Sequence, residues 1–417
     1  MCADSLSAPS LRPFRAFAFR PAHRSPPSRP SIRFPPVRLR SADPSADCFP
    51  SVPGSPPTRA PIRIDEIFLP RENCGQKSAA PSPAQRILGD RSLRLVTFER
   101  AGQARLGCLL ADDRILALED ASVRKLRRSE HCLSSMLAFI EGGDAALETA
   151  QALAGDPPAE AILPAGSARL LAPIPRPPRL RSMSSYPAHL ARAQEGRARL
   201  LARSAADPEA AFEKAKAAFV QRPPAGYYQT PVYWWMDPYC VCGPEDEVAW
   251  PAYSDWIDYE LELVAVIGKA GRDIDKAQAE RHIFGYTLLN DLSARDEQAR
   301  ATATSLSITA KGKDFEGGYP MGPCIVTRDE IDIYGLQARL RVNGVEWAAA
   351  STADPHWTFA DCIEYASRAS TLIPGEMISS ATVAGCSGLE QARKGAIGDV
   401  VELDVPPIGI LRNKIVG

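Results

Sequence analysis

The sequence predicts an α+β protein whose larger part is dominated by mixed β-sheet. Beyond Gly226 the apolar runs are short and rich in aromatic or β-branched residues, as in segments 259–267, 286–289, 322–327 and 400–405. Runs of this length favour strands, and only a few helical patterns lie between them. Strands at irregular intervals with few helices are typical of α+β folds rather than of a regular alternation of strand and helix.

A small N-terminal domain is predicted over residues 92–175. Short alternating runs within residues 93–119 predict a meander of three strands, and helical spacing follows within residues 132–154. A cluster of prolines at 173–178 then interrupts any regular element. We take that cluster as the boundary to a second domain.

The second, larger domain is predicted over residues 180–417. It opens with a segment rich in Ala, Glu, Arg, Lys and Leu over residues 190–220, broken once at Asp207-Pro208. Such a composition favours helix, and proline interrupts it. The predicted strands of the mixed sheet follow this helical segment.

Residues 1–88 are predicted to be a disordered tail. The first 60 residues hold 13 of the 38 prolines, with nine arginines, no lysine and three aspartates. Because proline fixes φ and lacks an amide donor, neither helix nor sheet can propagate there. The prolines also interrupt the amphipathic helix of a transit peptide, and a secretory signal's apolar core is missing. We expect an untargeted cytoplasmic protein, with an organelle address as the alternative.

The charge balance argues against two classes of partner. The chain has 49 Lys+Arg and 50 Asp+Glu, so its net charge is −1. The first 60 residues carry +6, and the remainder therefore carries −1 − 6 = −7. Proteins that bind nucleic acid or a membrane surface usually have a basic excess, and no segment reaches the roughly 18 apolar residues of a membrane span. Neither nucleic acid nor membrane is expected as a partner.

Several common chemistries lack their usual sequence support. The ten cysteines include no C-x-x-C pair, and the five histidines have no zinc-site spacing. The glycine-rich dinucleotide motif, the phosphate-binding loop and the serine-hydrolase elbow are all missing from the sequence. The cysteines are therefore expected to be reduced, and any chemistry is expected to rest on carboxylates.

Three carboxylates lie on one predicted strand and at the end of the next. Glu260 and Glu262 point to the same face of one strand, because residues two apart share a face. Asp291 ends the next predicted strand, immediately before a helix. Together they would offer the hard oxygen ligands that Mg²⁺, Mn²⁺ or Ca²⁺ prefer. The alternatives are a solvated strand face for the glutamates and an ordinary N-cap for the aspartate.

A series of short motifs runs in order along residues 180–417. It comprises Asp258-Tyr-Glu-Leu-Glu262, Gly285-Tyr-Thr, Asn290-Asp-Leu-Ser-Ala-Arg-Asp296, Gly312-Lys313, Pro320-Met-Gly-Pro323, Val342-Asn-Gly344, Pro374-Gly-Glu376 and Gly398-Asp-Val-Val-Glu402. Taken together, these motifs resemble the fumarylacetoacetate hydrolase family. The resemblance implies that family's β-sandwich roll, preceded by the small N-terminal domain that many members carry.

The resemblance also implies roles for individual residues. The implied metal ligands are Glu260, Glu262 and Asp291, holding Mg²⁺ or alternatively Mn²⁺ or Ca²⁺. The implied catalytic residues are His189 as the base and Lys313, with Gln298 beside it, at the substrate's oxyanion. The implied substrate contacts are Tyr186, Arg295 and Thr382.

Some positions depart from the family pattern. Compact members place a glutamate one helical turn after the histidine to orient it, whereas this chain has Arg192 there and Glu195 one turn further on. The usual Thr-Gly-Thr is Ser380-Ala381-Thr382, and Ser182 stands where larger members add a fourth carboxylate. The metal site is therefore expected to be intact and the acid–base apparatus to be altered.

The function implied by the resemblance is that of a divalent-metal-dependent enzyme acting on a small 2-oxo or 2,4-dioxo carboxylic acid, such as an acylpyruvate. Hydrolysis of a C–C bond through a metal-bound enolate is the first expectation, with His189 activating water. Because Arg192 replaces the orienting glutamate, an isomerase, hydratase or decarboxylase of aromatic-compound breakdown is the alternative. A catalytically silent protein that binds a metal–oxoacid complex is a further alternative. The family implies a homodimer.

Overall fold

The computed structural model describes residues 93–218, 223–307 and 309–417, so the predicted tail over residues 1–88 lies outside the described part. Within these ranges the strands are β1 (Arg94–Arg100), β2 (Gln103–Leu109), β3 (Ile115–Ala117), β4 (Ile162–Leu163), β5 (Leu170–Leu171), β6 (Leu180–Met183), β7 (Tyr233–Met236), β8 (Val241–Cys242), β9 (Glu247–Ala249), β10 (Ile257–Asp258), β11 (Glu260–Ile267), β12 (Ile283–Asn290), β13 (Ser293–Ala294), β14 (Tyr319–Thr327), β15 (Gln337–Val342), β16 (Val345–Ser351), β17 (Met377–Ser387), β18 (Val400–Val405) and β19 (Gly409–Val416).

The α-helices are α1 (Leu118–Leu126), α2 (Met136–Gly155), α3 (Pro187–Ala202), α4 (Pro208–Ala218), α5 (Lys276–Ala279), α6 (Arg295–Ala303) and α7 (Phe359–Ser367). None of them combines the length and the apolar composition that crossing a bilayer requires, within the residues described. Many strands with few helices between them confirm the predicted α+β class.

The largest sheet places the buried apolar strands β11, β12 and β14 near its centre, in the order β4-β3-β2-β1-β14-β12-β11-β17-β6-β7. Strands β11 and β12 are buried along their whole length, which explains why their sequences are apolar almost without a break. Strand β11 pairs antiparallel with β12 on one side and β17 on the other. This register sets Glu262 opposite Leu289 and Thr382, so the sheet itself brings the motif residues together.

The N-terminal segment forms the predicted meander of β1, β2 and β3. Strand β1 also pairs with β14, with Arg94 opposite Val326, so the meander continues the largest sheet. The two helical stretches predicted after it lie along α2, whose helical backbone is interrupted at Gly143, where φ is 56° and ψ is −142°. The extent of the N-terminal domain, residues 92–175, stays a prediction.

The predicted helical segment over residues 190–220 forms α3 and α4, which are separated near the predicted break at Pro208. Helix α3 packs closely on the loop after β17. A Cβ atom at Gly196 would lie 1.8 Å from the Leu389 carbonyl oxygen, so only glycine permits this approach. The Arg203 guanidinium also donates to the Ala392 carbonyl at 2.6 Å. The middle and the C-terminal end of α3 are thereby held against this loop.

A buried ion pair joins β6 to the residue that directly precedes β17. Arg181 is 1% exposed, lies 2.5 Å from the Glu376 carboxylate and stacks on the rings of Tyr233 and Trp235. Replacing Arg181 with Met is expected to lower the free energy of unfolding by about 3–5 kcal/mol, because it leaves the Glu376 charge buried without that partner. Chemical denaturation measures the change. The double variant R181M/E376L should recover much of the loss, whereas a single variant that costs under about 1 kcal/mol would contradict this account.

Candidate active site and metal centre

Three carboxylates converge at the centre of the largest sheet. Glu260 and Glu262 lie on β11, and Asp291 directly follows β12. One oxygen of each lies within 4.8 Å of the others, and the three residues are at most 3% exposed. Neither glutamate therefore belongs to a solvated strand face. The structure thus brings together all three residues for which the sequence predicts metal binding.

Two cations are buried against this carboxylate cluster. The Lys313 Nζ atom contacts Glu260 at 2.5 Å and also contacts Asp291. The Arg295 guanidinium contacts Glu260 and donates to Asp258. Burial opposes ionisation, but the charges of Arg295 and Lys313 outweigh it and hold the pKa of Glu260 well below its usual range. Arg295 thus pairs with Glu260 and Asp258, and its contact with a substrate stays a prediction.

Two carboxylate oxygens of the cluster have no hydrogen-bond partner. They are Oε1 of Glu262 and Oδ1 of Asp291, both buried. The other oxygen of Glu262 accepts hydrogen bonds from Ser182 at 3.2 Å and from Ser379. Buried polar atoms rarely stay unpaired, and a purely oxygen donor set suits a hard divalent cation. The residues present therefore fit the expected metal. Ser182, which stands where larger family members are expected to have a fourth carboxylate, contacts Glu262.

Cation binding at this cluster is expected to release protons. Burial, and next the charge of Asp291, raise the pKa of Glu262 well above its usual value of 4.5, and burial also raises the pKa of Asp291. Above pH 4.5 these groups bind more protons in the native than in the unfolded protein, so they lower stability as pH rises. A divalent cation removes this penalty.

The rise in Tm caused by Mg²⁺ should therefore be larger at about pH 8 than at about pH 5.5, as measured by differential scanning fluorimetry. A rise in Tm that does not change with pH would contradict the proton linkage. The matched control is Asp237→Asn, which changes a carboxylate outside this cluster and should behave like the natural chain.

His189 lies between two carboxylates. It is the third residue of α3, which begins at a proline, a favourable first position for a helix. Its Nδ1 atom lies 3.2 Å from Glu390 Oε2, and its Nε2 atom lies 3.4 Å from Glu260 Oε1. Burial alone would lower the pKa of His189, but the two carboxylates raise it to about 10. The ring thus lies between Glu390 and the edge of the carboxylate cluster.

Glu390 is the residue that the sequence reasoning missed. It follows β17, is fully buried in its side chain, and accepts hydrogen bonds from the Gly385 amide at 2.9 Å and the Ser387 hydroxyl at 3.1 Å. A distant loop thus places a carboxylate beside His189, where the sequence offered only Arg192 and Glu195 on the same helix. Arg192 is exposed, and no local signal in the sequence relates position 390 to position 189.

The remaining predicted residues divide into two groups. Thr382 and Gln298 line a cavity above the carboxylate cluster, and the Gln298 Oε1 atom accepts a hydrogen bond from Arg295 at 2.6 Å. Tyr186, in contrast, is 4% exposed, and its hydroxyl donates to the Thr352 carbonyl at 2.8 Å. Its polar group is thus used within the core, so the structure does not support the predicted contact of Tyr186 with substrate.

The cavity has a volume of about 360 Å³, within the range of small-molecule sites. Its inner end is formed by the three carboxylates, His189 and Lys313. Helix α3 contributes Leu190, Ala193 and Arg197 to the wall. The arrangement can therefore hold a small molecule against a cation, a histidine and a buried ammonium group.

A second group of potential metal ligands comprises Asp237, Cys240 and Asp314. Both aspartates are exposed, and Lys311 pairs with Asp314 at 3.2 Å. Burial raises the pKa of Cys240 to about 12, so the thiol keeps its proton at neutral pH. This group is a much poorer cation site than the buried carboxylate cluster.

Comparison with known proteins agrees with this geometry. The chain is 34% identical over 181 residues to the oxaloacetate tautomerase FAHD2A, mitochondrial, of Homo sapiens, which covers 42% of this chain and 56% of the human protein. It is 28% identical over 334 residues to the oxaloacetate tautomerase YisK of Bacillus subtilis, covering 78% of this chain and all of the relative. A solved fumarylacetoacetate hydrolase from psychrophilic Exiguobacterium antarcticum, 25% identical, superposes with a TM-score of 0.57 and covers 78% of this chain and all of that one.

A family model described as fumarylacetoacetate (FAA) hydrolase C-terminal matches residues 201–416, just over half of the 417 residues. The match to the human relative spans little more than half of that protein's length. The matched region contains the carboxylate cluster, Lys313 and Glu390, while His189 precedes it. By its sequence motifs, its sheet and this match, the chain belongs to the fumarylacetoacetate hydrolase family.

Proposed function

We propose that this chain is a divalent-metal-dependent enzyme that moves a proton between carbon and oxygen of a small 2-oxo carboxylic acid, as a keto–enol tautomerase. One observation carries the proposal: a single cavity is lined by two carboxylates with unpaired buried oxygens and by a histidine whose Nδ1 atom lies 3.2 Å from Glu390. A tautomerase needs a proton carrier and a means of stabilising negative charge on oxygen. Both are found at the inner end of the cavity.

The cation would be held by Glu260, Glu262 and Asp291, with Mg²⁺ or Mn²⁺ favoured by the oxygen donor set. When bound, it supplies Lewis-acid polarisation of the keto–carboxylate end of the substrate. The buried Lys313 ammonium lies beside the same carboxylates and adds a positive charge where the substrate oxygen becomes negative. The chain thus stabilises the enolate oxygen with groups that are already in place.

Proton transfer is assigned to His189. Glu390 holds the Nδ1 side of the ring, which leaves Nε2 on the side of the carboxylate cluster to carry the proton. In the enol-to-keto direction, Nε2 delivers its proton to the substrate carbon, and the C=C double bond is lost as the carbonyl double bond forms. The hydroxyl proton of the enol passes to solvent water, from which the His189 ring regains a proton. Helix α3 and the loop after β17 fix both partners of this histidine–glutamate pair.

Hydrolysis of a C–C bond in an acylpyruvate is the second candidate. It is favoured by the same histidine–glutamate pair, since a histidine oriented by a carboxylate can activate water as a general base. The solved fumarylacetoacetate hydrolase of similar fold supports it as well. Tautomerisation ranks first because it requires no positioned water and because two relatives carry that activity in their names.

The test uses purified protein and a stopped-flow ultraviolet assay. Conversion of enol-oxaloacetate to the keto form should be accelerated with Mg²⁺ or Mn²⁺, lost after chelation and restored by adding the cation back. Acylpyruvates assayed in parallel distinguish hydrolysis, because cleavage removes the dioxo chromophore. Turnover that survives complete chelation would contradict the proposal, and so would binding of these acids without any turnover.

A further inference from the structure

Asp258 is a buried carboxylate that lies behind the site. It ends β10, is 1% exposed, and is not among the described residues that line the cavity. Its two oxygens serve different partners. The Oδ1 atom accepts a hydrogen bond from the Leu389 amide at 2.8 Å, and the Oδ2 atom accepts from Nε and Nη2 of Arg295 at 2.8 and 2.5 Å. Asp258 therefore joins the turn after β17 to the start of α6.

The turn after β17 carries Glu390 and packs directly on Asp258. The Leu389 amide is one residue away from Glu390, and the preceding amide, that of Gly388, donates to the Tyr259 carbonyl at 3.2 Å. A Cβ atom at Gly388 would lie 2.6 Å from Asp258 Oδ1, so no space separates the turn from this carboxylate. The place of the Glu390 backbone relative to β10 thus depends on Asp258.

The Arg295 side of Asp258 leads to the same histidine by another route. The Arg295 guanidinium contacts Oε1 of Glu260, and this same oxygen lies 3.4 Å from His189 Nε2. Glu390 approaches the opposite nitrogen of the ring, Nδ1, at 3.2 Å. Asp258 is therefore connected to both sides of the His189 ring.

These contacts close a ring of buried groups. In order, the ring joins Asp258, Arg295, Glu260, His189, Glu390 and, through the backbone of the turn, Leu389. In a closed ring, a shift of the turn away from β10 must separate Glu390 from His189 or His189 from Glu260. A displacement of about 1 Å is enough to cost a reaction about 100-fold in rate. The ring thus fixes a distance on which proton transfer depends.

We infer that Asp258 is a positioning residue for proton transfer, which holds the turn of Glu390 at the distance from Glu260 that the His189 ring spans. The inference rests on the proposed function, because it assigns proton transfer to His189. Asp258 is neither a predicted cation ligand nor part of the cavity wall, so it acts through Glu390. Both of its oxygens accept hydrogen bonds, and this requirement makes the role testable.

The first experiment measures the kinetics of enol-oxaloacetate conversion by the Mg²⁺-loaded full chain and its Asp258→Asn variant. An asparagine has the same shape but only one acceptor oxygen, so its NH₂ group must face either the Leu389 amide or Arg295. The variant is expected to lower kcat by about 10–100-fold, with KM and the Mg²⁺ affinity from calorimetry unchanged within about threefold. A larger loss of Mg²⁺ affinity would overturn the inference, since it would show that Asp258 acts through the cation site.

A double-mutant cycle shows whether Asp258 acts through Glu390. In the Glu390→Gln background, Asp258→Asn should lower kcat by less than about threefold, because the pair that it positions is already lost. If the two substitutions instead multiply in their effects on kcat, Asp258 acts independently of Glu390 and the inference is wrong.

Two further variants separate positioning from stability. The matched control is Asp399→Asn, since Asp399 is also a buried carboxylate and accepts hydrogen bonds from Tyr259 and Asn343 at 2.8 Å, outside the ring. It should lower Tm but keep natural kcat. Gly388→Ala displaces the turn from Asp258 without changing any charge, and it should reproduce the fall in kcat at constant KM. This variant decides the matter if Asp258→Asn does not fold, and natural kcat in either variant would overturn the inference.

A second readout does not depend on turnover. In protein labelled with ¹⁵N-histidine, the ring signals of His189 are those missing from His189→Asn. Asp258→Asn should shift them in the direction that Glu390→Gln does, whereas Asp399→Asn should leave them in place. Unshifted signals in Asp258→Asn would overturn the inference. If the natural chain shows no cation-dependent turnover, the proposed function fails, and these signals still decide whether Asp258 positions the histidine–glutamate pair.

Discussion

Replacing Glu390 with Gln is expected to lower kcat by about 10²–10⁴-fold, the usual contribution of a positioned acid–base group. The carboxylate of Glu390 lies 3.2 Å from His189 Nδ1 and is held by Gly385 and Ser387. A neutral amide loses the charge that favours the Nδ1–H form and can present its own N–H instead. Steady-state kinetics of enol-oxaloacetate conversion measures the change.

The same Glu390→Gln variant should bind Mg²⁺ with nearly natural affinity, because Glu390 is not part of the carboxylate cluster. Glu195→Gln is the matched control, since Glu195 lies on α3 but pairs with Arg199 at 3.1 Å instead of contacting the histidine. That variant should keep natural kcat. Natural kcat in Glu390→Gln, with folding verified by thermal denaturation, would show that the histidine–glutamate pair does not take part in proton transfer.

Replacing Glu262 with Gln is expected to weaken Mg²⁺ binding by at least about 100-fold and to remove activity. Even partners that only orient metal ligands commonly contribute 10–100-fold to affinity, and Glu262 supplies one of three carboxylates. Its Oε1 atom is one of the two unpaired buried oxygens. Calorimetry with Mg²⁺ and the oxaloacetate assay measure the two effects.

The fold of Glu262→Gln should persist, because the amide oxygen can still accept the hydrogen bonds of Ser182 and Ser379. Its Tm without cation should equal or exceed that of the natural chain, since one of several like charges is removed. A lower Tm would mean that Glu262 serves stability, and undiminished Mg²⁺ binding would exclude it as a ligand. Asp237→Asn should leave both cation binding and activity unchanged.

Local patterns were enough to place the three carboxylates near one another, whereas their role as metal ligands was implied by the resemblance to the family. Residues two apart on a strand share a face, so Glu260 and Glu262 could be placed together from their spacing alone. The strand that ends at Asn290 places Asp291 beside them once β11 and β12 pair. The three-stranded meander and the break between α3 and α4 likewise follow from alternation, glycine and proline.

Such local patterns could not predict the long-range contacts. Glu390 meets His189 only because β11 pairs with β17 and because α3 approaches Leu389 at Gly196, and neither contact leaves a periodic signal. The resemblance to the family implied that Tyr186 contacts the substrate, but sequence spacing does not show which way a side chain points. The pairing of β1 with β14 is another contact of this kind, because alternation identifies a strand but not its partner.

The most direct test of the central claim is an anomalous diffraction measurement on crystals soaked with Mn²⁺ and oxalate. The account predicts one strong peak coordinated by an oxygen of each of Glu260, Glu262 and Asp291, with oxalate on its cavity side. Crystals of the Glu262→Gln variant that are soaked in the same way should lack that peak. A peak at Asp237, Cys240 and Asp314 instead, or no peak at the carboxylate cluster, would contradict the account.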